Sequence, residues 1–143
     1  RLRSLGFHYD GEIFRIELPS GRSLFYNNPK IGVNRFGMES IIFKGMDQVI
    51  KQWTSIETYG GKLVENIIQA ISRDLLAYAM QRLRDAGFKM VMHVHDEVIC
   101  EVPDSQGKKQ LERMKDIMGQ EVPWAPGLPL TADGYVTKFY KKD

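Results

Sequence analysis

"KLVENIIQAISRDLLAYAMQRLRDAG", residues 62–87, is where the hydrophobic period of the chain changes. Leu63, Ile67, Ala70, Ile71, Leu75, Ala79 and Leu83 recur three and four residues apart, the spacing that gathers side chains on one face of an α-helix. Gly87 follows them, where a helix C-terminus favours a residue free to take left-handed backbone. The stretch predicts one long amphipathic helix with Glu65, Arg73, Gln81 and Arg84 on its solvent face.

Before this helix the period is two. In "GEIFRIELPSGRSLFY", residues 11–26, Ile13, Arg15 and Glu17 alternate with Phe14, Ile16 and Leu18. Pro19-Ser20-Gly21 then separates them from a second run ending at Tyr26, a hairpin signal. Residues 27–37, rich in Asn, Gly and Pro, predict a loop. "ESIIFKG" and "QVIKQWTSIETY" predict a second pair of extended runs, broken at Gly45-Met46-Asp47. Beyond the helix, "KMVMHVHDEVICEVP", residues 89–103, predicts two strands meeting at His95-Asp96. A shorter helix follows from about Asp104 to Met118, then the turn-rich connector "PWAPGLP". "LTADGYVTKFYKK" predicts a closing strand with a basic end at Lys141-Lys142. This order predicts an α+β fold, antiparallel β-hairpins packed on one long and one shorter helix, with residues 1–143 forming a single unit.

At 43% hydrophobic residues the chain can bury a core, which excludes disordered and collagen-like classes. A net charge of +2 does not by itself point to nucleic acid, although a near-neutral total can hide a polarised surface. The single cysteine, Cys100, excludes a disulfide framework and fits a reducing cytosol. It reads as a small buried hydrophobe, and Trp53 and Trp124 read as core anchors. No stretch approaches the roughly 20 apolar residues of a membrane helix. The first residue is Arg1 rather than Met, which fits a fragment or a processed product.

The turn between the two apolar strands carries the chemistry. Asp suits a tight turn for backbone reasons alone. Here, however, His95, Asp96 and Glu97 follow one another between strands apolar enough to be buried, so a rigid tip presents two adjacent carboxylates and an imidazole. Adjacent like charges are costly unless a cation is near, and hard divalent cations take oxygen ligands.

"VHDEV" between apolar strands, preceded by "ENIIQAISRDLL", resembles family A DNA polymerases, most closely their bacteriophage and prophage branch. "LPSGRSLFY" resembles the hairpin beyond the fingers and "ETYGGKLVENIIQ" the entry to the palm helix. "VMHVHDEVICEVP" resembles the third catalytic motif, and "WAPGLPLTADGYVTKFYKK" the family's C-terminal end. The resemblance implies the C-terminal part of a polymerase palm, working on primer–template DNA and deoxynucleoside triphosphates with two Mg²⁺ ions. It implies Asp96 as a metal ligand, Glu97 as its supporting carboxylate and His95 near the primer terminus. Gln69 would touch the duplex minor groove, where every base pair offers acceptors to an amide. Asn66 is a further DNA contact, at an offset from Gln69 unlike the family's, and Arg73 and Lys62 are contacts to phosphate. The family's first metal-binding Asp and its triphosphate-binding fingers helix have no counterpart here; Asp10 and Asp47 lie in turn-like contexts. The chain alone is therefore expected to be inactive and to need the remaining polymerase segments. An apolar face left open by their absence would favour a homodimer.

Two other readings compete. His93 and His95, two apart on a strand, could share a transition metal as in a metal-dependent hydrolase. Asp96 follows His95 too closely for that register, and His8 is remote in sequence. A prophage remnant or split protein that binds duplex DNA without catalysis is the non-enzyme alternative.

Overall fold

The computed structural model describes residues 5–34 and 36–140. The fold is α+β, with two antiparallel sheets and two helices. The described residues divide into two compact units, one ending at Ile71 and the other starting at Ser72.

The first unit is a five-stranded antiparallel meander: β1 (Gly6–Tyr9), β2 (Ile13–Glu17), β3 (Ser23–Val33), β4 (Glu39–Met46) and β5 (Trp53–Thr58). The hairpin around Pro19-Ser20-Gly21 is present: the Leu18 and Arg22 backbones close it, and Gly21 takes φ +88°. Side-chain alternation puts Phe14, Ile16 and Tyr26 on one face, where Ile16 is 1% exposed and Tyr26 is buried. The Tyr26 ring meets Phe14 at 6.0 Å and the edge of Phe43 at 4.9 Å. The first half of α1 (Gly60–Asp85) joins this unit. Asn66 donates its amide N–H to the Tyr26 hydroxyl at 3.2 Å, and Arg22 donates to the Ala70 carbonyl at 2.9 Å. The opposite face is more polar and more exposed.

Three expectations fail here, each for a local reason. Residues 27–37 are not a loop: β3 runs on to Val33, because a β-bulge between Asn27 and Lys30 absorbs Asn28 at φ +45°. Asn tolerates that left-handed backbone better than most residues. Residues 48–52 are not strand, because the Asp47 carboxylate accepts the N–H groups of Val49 and Ile50 and folds them into a turn. Trp53 is not a core anchor, being 60% exposed on the open face, whereas Trp124 is half-buried. The edge strand β1 was not predicted.

The second unit contains the rest of α1, the hairpin β6 (Lys89–Val94) and β7 (Glu97–Glu101), a 3₁₀ turn (Asp104–Gln106) and α2 (Gly107–Met118). The predicted solvent face of α1, Glu65, Arg73, Gln81 and Arg84, is exposed, and Gly87 ends the helix at φ +85°. The Gly87 N–H bonds to the Arg84 carbonyl and the Phe88 N–H to the Leu83 carbonyl, a Schellman closure. Its hydrophobic partners, Leu83 and Phe88, are both buried. Arg113 of α2 donates to the Ala86 carbonyl and stands 5.2 Å from the centre of the Phe88 ring, tying α2 to this corner.

The closing strand does not form. Residues 130–140 run without strand pairing and pack on α2: Gly107 and Gly134 admit Val136 and Leu111 so closely that an added Cβ would stand 2.7 and 3.0 Å from them. A strand needs a free edge opposite it, and these side chains face a helix instead. Lys141 and Lys142 lie outside the described residues. No helix among the described residues is long and apolar enough to cross a membrane.

Candidate functional site

The β6–β7 hairpin positions the three candidate residues. Val94 pairs with Glu97, leaving His95 and Asp96 as the two turn residues. His95 takes φ +51°, a conformation costing most residues about 1–2 kcal/mol. The pairing shifts by one residue between Met90 and Met92, so Val91 bulges and the strand turns as it approaches the tip. At the base, the Lys89 ammonium bonds to the Glu101 carboxylate and holds it below the usual carboxylate range.

The expectation of buried flanking strands fails. No residue of β6 or β7 is buried, and Val91 is 56% exposed. Two strands cannot cover their own side chains, and the described residues add no third strand to this sheet. Backbone pairing, the bulge and the Lys89–Glu101 pair define the tip instead. Cys100 is half-buried, and burial pushes its thiol up.

Asp96 opens onto a cleft of about 220 Å³ within this unit. One wall comes from α1, with Ser72, Tyr78 and Arg82; the other comes from Gln120, Val122 and Thr131. Arg82 organises that second wall: its guanidinium donates to the Gln120 carbonyl at 3.1 Å and the Glu121 carbonyl at 2.7 Å, above the Tyr78 ring at 4.6 Å. Glu121 in turn accepts the Gly127 N–H at 2.6 Å, which fixes the predicted connector turn. Sequence reasoning missed Arg82 and Tyr78. Their i, i+4 spacing is compatible with ring stacking on a helix, but backbone carbonyls as partners leave no sequence signal.

His95 and Glu97 do not line the cleft, so the structure separates them from Asp96 there. All three are exposed. Among the described residues no group of three or more His, Cys, Asp or Glu is placed to hold a metal ion. Asp96 and Glu97 are two carboxylates at most, and Mg²⁺ demands near-octahedral oxygen ligation. The residues described do not make a complete Mg²⁺ site.

The DNA-contact candidates divide between the units. Lys62, Asn66 and Gln69 belong to the first, spaced i, i+4 and i+7 along one stripe of α1. Gln69 is exposed, Lys62 pairs with Glu65 at 3.0 Å, and the Asn66 amide is engaged by Tyr26. Arg73 is exposed at the start of the second unit. Asp10 and Asp47 are turn builders: each carboxylate accepts two backbone N–H groups, which lower its pKa, chiefly that of Ile13 for Asp10 and of Ile50 for Asp47.

No family model matches this chain, and no solved structure matches it. A curated relative, the DNA polymerase of Bacillus phage SP02, is 51% identical to it over 140 residues. The match covers 97% of this chain and 21% of the relative, so the chain spans about a fifth of that protein's length.

Proposed function

We propose that this chain is the C-terminal palm portion of a family A DNA polymerase, acting in template-directed nucleotidyl transfer. The observation that carries this reading is its 51% identity, across nearly its whole length, to a phage DNA polymerase about five times as long. Asp96 is the metal-binding carboxylate and Glu97 its support, with His95 beside the primer end. Gln69 faces the duplex minor groove beside Asn66, whose amide the Tyr26 hydroxyl holds, and Lys62 and Arg73 take phosphates. What supports Asp96 is its place on a two-residue hairpin turn, opening onto a cleft whose wall Arg82 holds in place. When bound, Mg²⁺ supplies charge stabilisation for the attacking and leaving oxygens. This chain contributes part of its ligand set, and the remaining polymerase segments contribute the rest, so the chain alone is inactive.

Primer extension tests this reading. The chain is assayed with Mg²⁺ and with Mn²⁺, alone and with the remaining segments supplied in trans, beside Asp96→Ala. Extension that appears only in trans and disappears in Asp96→Ala is the expected result. Extension by the Asp96→Ala chain at the wild-type rate would remove Asp96 from the chemistry.

A further inference from the structure

The open face of the five-stranded sheet carries exposed side chains from every strand. His8 pairs with Arg15, and Arg15 with Phe25. Met46 pairs with Trp53, and Asn27, two residues along β3 from Phe25, pairs with Lys44, two residues along β4 from Met46. His8, Arg15, Phe25, Met46 and Trp53 are all exposed, Phe25 and Trp53 at 60% each. Ile13, Asn27, Lys44 and Ser55 pair in turn across β2 to β5. Lys44 donates one N–H to the Ser55 hydroxyl at 2.8 Å and keeps the others for solvent or a ligand. Lys30, beyond the bulge, points to the same side as Ile42. The carboxylates on this face are Glu17, 3.4 Å from the His8 imidazole, and Glu57, beside Ile42.

We propose that this face binds single-stranded nucleic acid. Unpaired bases stack on Phe25 and Trp53 while Arg15, Lys44 and Lys30 take the phosphates. Aromatic rings interleaved with cations on an open sheet are what a sequence-tolerant single-strand site requires, because every base has a face to stack. A duplex hides those faces and offers the rings only its edges. A protein partner fits less well, since lysine is depleted in protein interfaces, and here Lys44 and Lys30 share the face with the rings. That the strand is the unpaired template of a polymerase rests on the function proposed above; binding itself does not.

The test is the anisotropy of fluorescein-labelled dT12 titrated with the 143-residue chain. Binding is expected, weaker for a hairpin duplex of equal length, and weakened about tenfold or more by Phe25→Ala or Trp53→Ala. Arg15→Gln with Lys44→Gln is expected to lower both affinity and its salt dependence. Asp96→Ala is expected to bind as the wild type, so this surface and the catalytic reading can fail separately. The proposal is overturned if the wild type ignores dT12, or if both aromatic variants bind it unchanged. It is equally overturned if those substitutions abolish self-association that dT12 does not compete away, which would make the face a protein interface. Should an aromatic variant lose its circular-dichroism spectrum, the charge pair decides: unchanged affinity and salt slope would overturn the proposal.

Discussion

The two β-structures of this chain differ in what covers them. The five-stranded sheet has one face closed over Ile16 and Tyr26 and bonded to α1 through Asn66 and Arg22, so its alternating pattern has a clear inside and outside. The β6–β7 hairpin is just as apolar in sequence but has no buried residue. The sheet earns stability by burial, whereas the hairpin is held by backbone pairing, a salt bridge at its base and a strained turn at its tip. The residues read as catalytic sit on this weaker element. A hairpin alone is marginal in water, and a third neighbour usually secures it. That fits the proposal that the chain is one part of a longer polymerase.

This contrast can be broken by substitution. Ile16→Ala removes a buried side chain and is expected to cost about 2–5 kcal/mol in denaturant unfolding. A cost comparable to that of a surface change would mean the sheet is not closed as described. Tyr26→Phe keeps the packing but strips the Asn66 amide of its acceptor, an expected loss of about 1 kcal/mol. Val91→Ser on the hairpin should fall within about 0.5 kcal/mol, as exposed substitutions do. A loss as large as that of Ile16→Ala would show that Val91 is covered in solution.

Acid sharpens the same comparison. Backbone N–H groups hold Asp10 and Asp47 below the usual carboxylate range, and the Lys89 ammonium does so for Glu101. A carboxylate whose folded pKa is depressed contributes stability above its unfolded pKa and loses it as pH falls through the folded one. Hydrogen exchange at Val49 and Ile50, followed from neutral pH downward with correction for intrinsic exchange, should therefore lose protection only below the ordinary carboxylate range. Protection that is flat through that window would mean Asp47 does not hold the turn.

Much of this was legible in the sequence because periodicity reports burial where a helix or sheet has one covered side. The helix from Leu63 to Leu83 follows from that, and its Gly87 stop and the first hairpin follow from glycines placed where left-handed backbone is needed. The extent of β3 did not, because Asn28 and Pro29 read as loop residues and a bulge absorbs them without ending the strand. The burial of β6 was over-read: a short apolar run has the same pattern whether or not another strand covers it. At the candidate site, the sequence marks the turn that carries His95, Asp96 and Glu97. It does not mark the cleft that Asp96 opens onto, since Arg82 holds that wall through the carbonyls of Gln120 and Glu121, distant groups with no residue-type signature.

The central claim is that Asp96 is a catalytic carboxylate of a polymerase. Its most direct test is primer extension by the chain combined with the remaining polymerase segments, comparing wild type with Asp96→Asn, which keeps the side chain's size and removes its charge. A fall of about a hundred- to a thousandfold in extension rate, with primer–template binding retained, is the predicted result. A variant extending within a few-fold of wild type would contradict the account.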